Sequence, residues 1–297
     1  MNKLDLKILK GFFTTLKRPL AIAFEITNDC NANCTMCLRD RMTREKTYLD
    51  ENLFRKVIHD ANTLGIKIFQ LSFYGECLLD PTITDKVRYI KNVIPDAWIQ
   101  IVTNGSLLTE HKSRALLDAG ISEIRVSIEG NNKAEFEMIR KGLNYDTILA
   151  NLEFLKNLRD SQEDYKTQIV VTGLNLKEKP LNIEHYKKFW KVYADIVTTR
   201  DEHILDFEKK ERFLRKILPC HQLFTILPIL ADGGYPICIY DWYAKTVYGN
   251  IRNSSIRKAW FAPRITLYKF LHLIGLKKSI RFCRNCSYRP NYRKIFV

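Results

Sequence analysis

Up to residue 201 the chain alternates short β-rich apolar runs with longer helical patterns, and this rhythm constrains the fold more than any other feature. The strand-like runs are "AIAFEIT" (21–27), "IKIFQLSFYG" (66–75), "WIQIVTNG" (98–105), "EIRVSIEG" (123–130), "TQIVVTGLNL" (167–176) and "ADIVTTRD" (194–201). Between them lie patterns such as "ENLFRKVIHDANTLG", where Gly65 suits a C-terminal cap, and "TEHKSRALLDAG", with Thr109 as N-cap and Gly120 as stop. Strands apolar on both faces that alternate with helices imply an α/β fold with a parallel sheet covered by helices. Six such units are too few to close an eight-stranded barrel.

Parallel α/β folds carry their chemistry at the C-terminal ends of the strands. Here those ends read "CNANCTMC" after the first run, then "YGEC", "TNG", "SIEG", "GLN" and "TTRDE". The first places Cys30, Cys34 and Cys37 on one loop as C-x3-C-x2-C. Three thiolates on a cube of four irons leave one iron open to a small molecule. A structural zinc recruits four protein ligands, and neither His59 nor His111 stands at the expected spacing. Eight cysteines in a chain without a signal-peptide pattern point to metal or redox chemistry rather than disulfides, and the expected location is the cytoplasm. Spacing alone leaves the iron cube, zinc and coincidence all open.

Taken in order, these motifs resemble the radical S-adenosylmethionine (radical SAM) family, whose loop follows the first strand of a partial (β/α)6 TIM barrel. The resemblance implies that Cys30, Cys34 and Cys37 hold a [4Fe-4S] cluster whose free iron is chelated by the amino and carboxylate groups of SAM. Reductive cleavage then gives a 5′-deoxyadenosyl radical that abstracts hydrogen from a substrate, with a flavodoxin- or ferredoxin-type protein as electron donor. "FYGECLLDP" resembles the segment in which Gly75 and Glu76 meet the SAM ammonium. "VTNGSLLT" brings Thr103 and Asn104 near the methionine or ribose, and "VSIEG" brings Ser127 and Glu129 to the ribose hydroxyls. Arg140 in "MIRKG" matches an arginine that meets the SAM carboxylate. Two positions depart from the family: Met36 replaces an aromatic residue, and Cys77 stands where proline is general. Cys77 is read either as a space-filling buried thiol or as a hydrogen-atom donor to a substrate radical.

After residue 201 the rhythm stops. Cys220, a strand "LFTILPIL", a turn "ADGG", a strand "YPICIYDW" bearing Cys238, then "YGNI", a helix with Trp260 and a closing Cys283-x2-Cys286 follow. Asp232, Gly233 and Gly234 suit a hairpin connection, and Ser254 or Ser255 suits a helix cap. Four thiolates suit zinc generically. The segment resembles the SPASM/twitch extension of radical SAM enzymes, in its shorter form with one auxiliary [4Fe-4S] cluster, and its cysteine pattern is similar to that of aminocyclitol dehydrogenases. The expected organisation is a basic helical extension (1–20), the radical SAM partial barrel (21–201) and a twitch domain (202–297).

The resemblance implies dehydrogenation of a sugar, aminocyclitol or polyol, with the auxiliary cluster as electron acceptor. Epimerisation, dehydration and ribosomal-peptide modification stay open, as does a zinc-bound interaction protein. Arg200, beside Asp201, Glu202 and His203, is the place to look for groups that orient substrate or take its proton, though a solvated charge run reads equally well there. A net charge of +15 favours anionic partners, including phosphorylated or nucleotide-linked substrates. Basic amphipathic stretches near both ends ("LKILKGFFTTLKR" and "RITLYKFLHLIGLKKSIR") suit either packing on the body or peripheral membrane contact. Nucleic-acid signatures are absent from the sequence.

Overall fold

The computed structural model describes residues 15–201, 219–284 and 286. The chain divides into two compact units, one formed by Met1–Ala23, Glu51–Ile66 and His203–Val297, the other by Phe24–Asp50 and Lys67–Glu202. The expected extension before residue 15 and the start of the C-terminal region lie outside the described residues.

All six expected strands are present: β1 (Ala21–Phe24), then, after the two-residue β2 (Asn33–Cys34), β3 (Ile68–Gln70), β4 (Trp98–Thr103) and β5 (Glu123–Ser127). After a second short strand, β6 (Arg140–Lys141), come β7 (Gln168–Asn175) and β8 (Ile196–Asp201). In the second unit β3, β4, β5, β7 and β8 form a parallel ladder in that order. Parallel neighbours need crossovers, and helices supply them, among them Ile83–Val93, Glu110–Asp118, Tyr145–Asp160 and Ile183–Trp190. One sheet face is apolar over its central strands, with Ile99, Ile101, Ile124, Val126, Ile169 and Val171 at 0% exposure.

Helix boundaries follow local chemistry. The Thr109 hydroxyl accepts the Lys112 amide at 3.3 Å, and Gly120 ends that helix at φ +77°, a conformation that a Cβ disfavours.

In the first unit, α1 (Glu51–Thr63) groups with C-terminal residues because its polar side engages them. Lys56 Nζ donates to the carbonyls of Ile251 (2.5 Å) and Ser254 (2.7 Å), and Asp60 accepts the Ile256 amide at 3.3 Å. The expected turn at Asp232, Gly233 and Gly234 is formed, with the Gly233 amide donating to Leu230 O at 2.8 Å and the Leu230 amide to Gly234 O at 2.9 Å, but its two arms are short. Leu223–Thr225 belong to a helix (His221–Thr225), only β9 (Ile226–Ile229) is extended, and Tyr235 exchanges backbone hydrogen bonds with Tyr248 and Gly249. The strand-like "YPICIYDW" therefore turns away after Tyr235, with Asp241 capping the turn by accepting the Thr246 amide and hydroxyl at 2.6 Å. Ser255 caps the next helix, Ile256–Trp260, as expected.

Candidate functional site

The three-thiol loop is held from several sides within the second unit. Cys34 lies in β2, which pairs antiparallel with β6 so that Cys34 faces Arg140 in register. The Thr35 amide donates to Ile139 O at 2.9 Å, and the Cys37 amide to Cys34 O at 3.0 Å. Ahead of the loop, Asp29 accepts from the Cys30 amide at 2.9 Å and pairs with Lys46 at 2.8 Å. Burial raises the Cys30 thiol pKa and pushes Cys34 up to about 11, with Arg140 pulling Cys34 the other way.

The "YGEC" turn docks directly on that loop. A Cβ on Gly75 would sit 2.3 Å from the carbonyl oxygens of both Thr27 and Asp29, so only glycine fits, and the Glu76 amide donates to Asp29 O at 2.8 Å. Glu76 is 2% exposed, and its carboxylate accepts from Thr103 Oγ1 (2.7 Å), the Asn104 amide (2.7 Å) and the Leu78 amide (3.1 Å). Burial raises its pKa while these three bonds oppose the shift. Asn104 Nδ2 in turn donates to Asn31 Oδ1 at 2.9 Å, and Asn31 Nδ2 to Ser106 Oγ at 2.8 Å. Glu76 thus ties the ends of β3 and β4 together, and Asn104 straps them to the cysteine loop.

Glu129 and Arg140, expected at different ends of SAM, form an ion pair through Arg140 Nε. Burial works against the cation, but Glu129 and then the thiols of Cys34 and Cys30 hold the Arg140 pKa above its usual value. Its other two guanidinium nitrogens have no hydrogen-bond partner among the described residues. Cys77 is 2% exposed, its thiol donates toward Val102 O at 3.5 Å, and burial holds it protonated. Of its two expected roles, this position fits packing.

The open face of the ladder carries a row that the sequence reading missed. Ser127, Thr172 and Thr198 are register partners on β5, β7 and β8. Thr172 and Thr198 share a hydrogen bond at 2.9 Å, and Arg125 Nη1 donates to Thr172 Oγ1 at 3.1 Å. One step toward the strand ends lies Arg200, exposed in β8, with Asp201 accepting from Asn175 Nδ2 at 3.1 Å. Glu202 and His203 lie outside the described residues. The only signal in the sequence was the period of two in "EIRVS", "VVTG" and "IVTTR".

In the first unit Cys220, Cys238, Cys283 and Cys286 interact electrostatically with one another. Burial pushes Cys220 up to about 11 and Cys283 up to about 12, and raises Cys238 well above the usual thiol value. Cys238 Sγ accepts the Tyr240 amide at 3.4 Å. His272 Nδ1 accepts the Cys220 amide at 3.1 Å, so its proton resides on Nε2, which is buried without a partner among the described residues. Among the described residues no three His, Cys, Asp or Glu side chains converge to hold a single ion. An iron cube takes one thiolate at each corner, so three thiols on one loop match a cube with one open iron and four thiols match a fully ligated one.

Comparison with known proteins agrees with this chemistry. The radical SAM superfamily model matches residues 24–181, and the model of SPASM, an iron-sulfur cluster-binding domain, matches residues 220–287. The chain belongs to the radical SAM superfamily, whose cofactors are S-adenosylmethionine and a [4Fe-4S] cluster, with a further cluster in the SPASM domain. It is 24% identical to the S-adenosyl-L-methionine-dependent 2-deoxy-scyllo-inosamine dehydrogenase of Niallia circulans, over 90% of this chain and 92% of that protein. It is 23% identical to the tungsten-containing aldehyde ferredoxin oxidoreductase cofactor-modifying protein of Pyrococcus furiosus, over 89% and 86%. The crystal structure of BtrN in complex with AdoMet and 2-DOIA superposes with a TM-score of 0.64 at 19% identity, covering 92% of this chain and 94% of that one, and shares the fold.

Proposed function

We propose that this chain is a radical SAM dehydrogenase of a sugar or aminocyclitol, oxidising a secondary alcohol to a ketone. Three of its thiols, Cys30, Cys34 and Cys37, would hold the SAM-binding cluster, and Cys220, Cys238, Cys283 and Cys286 the auxiliary one. When bound, SAM and its cluster supply the hydrogen-abstracting radical, and the auxiliary cluster supplies an acceptor for the electron that the substrate must lose. The remaining work falls to side chains. The remaining nitrogens of Arg140 would meet the SAM carboxylate, a role supported by its register position opposite Cys34 and by Glu129, which fixes the guanidinium through Nε. Glu76 holds Thr103 and Asn104 in place, and its Oε2, which accepts only the Asn104 amide, keeps a lone pair for the SAM ammonium.

The observation that carries the polyol reading is the hydroxyl row Ser127, Thr172 and Thr198, flanked by Arg125 and Arg200 on one face. A polyol needs closely spaced donors and acceptors, and such a row supplies both. Arg200 is assigned to orient the substrate, whose hydroxyl proton must leave as the carbon loses hydrogen. The relative from Niallia circulans acts on an aminocyclitol, which supports this substrate class. The test is anaerobic incubation of loaded protein with C-deuterated aminocyclitols and sugars, following 5′-deoxyadenosine and ketone. Deuterium carried into 5′-deoxyadenosine with stoichiometric ketone is expected. Deuterium transfer with a redox-neutral product would overturn the dehydrogenase assignment, and Thr172→Val with unchanged KM would remove the hydroxyl row from recognition.

A further inference from the structure

A second helix of the first unit, α2 (Pro263–Leu273), turns only one of its sides to the body of that unit. Ile265 and His272 are buried, and Tyr268 and Leu271 pack with the core cluster around Leu223, Phe224 and Ile280. Lys269 is drawn inward over Trp260, donating to its carbonyl at 3.1 Å. On the opposite side Leu267 (53%), Phe270 (54%) and Ile274 (48%) form a stripe at helical spacing, continued by Leu273 (49%) and Leu276 (54%). With its inner side already engaged, this outer stripe contributes nothing to the core of its own unit, and a contiguous apolar strip of this kind marks an interaction surface.

Charge identifies the partner. From Trp242 to Val297 the sequence contains thirteen Lys and Arg and no Asp or Glu, which is nearly all of the chain's net +15. Lys278, Arg281 and Arg284 follow directly behind the stripe. A second copy of this chain docking through the same face would bring two cationic surfaces together, which opposes a symmetric dimer. A nucleic acid would use the cations but would gain little from five exposed aliphatic and aromatic side chains. Among the described residues no helix is long and apolar enough to cross a membrane.

We propose that α2 and the turn after it seat the enzyme on an anionic lipid surface, with the stripe entering the headgroup boundary and the basic residues facing lipid phosphates. The two components contribute separately, cations by long-range attraction and the stripe by burial. The surface stands independently of which alcohol the enzyme oxidises.

The experiment is co-sedimentation of the full-length, cluster-loaded protein with vesicles of phosphatidylcholine alone or with about one third phosphatidylglycerol. Binding to the anionic vesicles and not to the neutral ones is expected. Leu267→Ser with Phe270→Ser leaves every charge in place and should weaken partitioning about tenfold or more, while far-UV circular dichroism and uncoupled SAM cleavage stay unchanged. No sedimentation with anionic vesicles overturns the proposal, as does equal binding by the double-serine protein, which would mean charge adsorption alone. Retention on duplex DNA without vesicle binding, or self-association that the double-serine protein loses, assigns the face to another partner and also overturns it.

Discussion

Cys30, Cys34 and Cys37 fall within one loop, whereas Cys220, Cys238, Cys283 and Cys286 are gathered from distant parts of the chain. The first set is positioned by backbone pairing and a polar network: the β2–β6 register, the Glu76 carboxylate and the Asn31–Asn104 bond. The second is positioned by packing, since Cys238 and Cys283 lie against the apolar cluster of Leu223, Phe224, Ile237, Ile265 and Ile280. A local loop can leave a coordination position vacant for a ligand without endangering its fold. Thiols collected over a long stretch of chain instead act as a staple, and their loss reaches the surrounding core.

The largest expected effect separates the two regions outright. Cys34→Ala should bring reductive SAM cleavage to background and remove about half of the bound iron, the share expected for one of two cubes. Its far-UV spectrum should match that of the parent, because the backbone pairing with Arg140 remains. A variant that loses secondary structure along with activity would break the contrast.

Cys238→Ala should do the reverse. SAM cleavage should persist while ketone formation ceases, and the thermal midpoint should fall by at least about 5 °C as the staple is lost. Equal midpoints for the two cysteine variants would show that both sets bear on stability alike.

A smaller effect sharpens the picture of the first region. Arg140→Met leaves the Glu129 carboxylate buried without its partner and should cost about 3–5 kcal/mol in denaturant unfolding. Adding Glu129→Gln should restore much of this stability without restoring SAM affinity. Full additivity of the two substitutions would mean that the pair is not coupled.

Much of this was legible beforehand where a residue's role is local. The six strands, the caps at Thr109 and Ser255 and the stop at Gly120 all follow from adjacent chemistry. The cysteine loop was legible because its three ligands share one short stretch. The turn at Asp232 to Gly234 was legible but the length of the strand before it was not, because "LFTILPIL" is apolar enough for either state, and its helical start at His221 follows the Cys220 amide, which is held by a histidine fifty-two residues away. Glu129 and Arg140 were each singled out, yet their mutual pairing depends on β6 returning to β2, which no sequence period announces. The hydroxyl row was hidden for a related reason: threonine alternating with valine reads as ordinary strand, and only the register shows that three strands align their hydroxyls.

At residue 75 the molecule has spent a side chain's worth of room on bringing two loops into contact. The floor of the site is therefore one seam rather than two independently adjustable walls. Any attempt to retailor the enzyme from one side, by lengthening the cysteine loop or reshaping the turn at Gly75, must recut the other side in the same step.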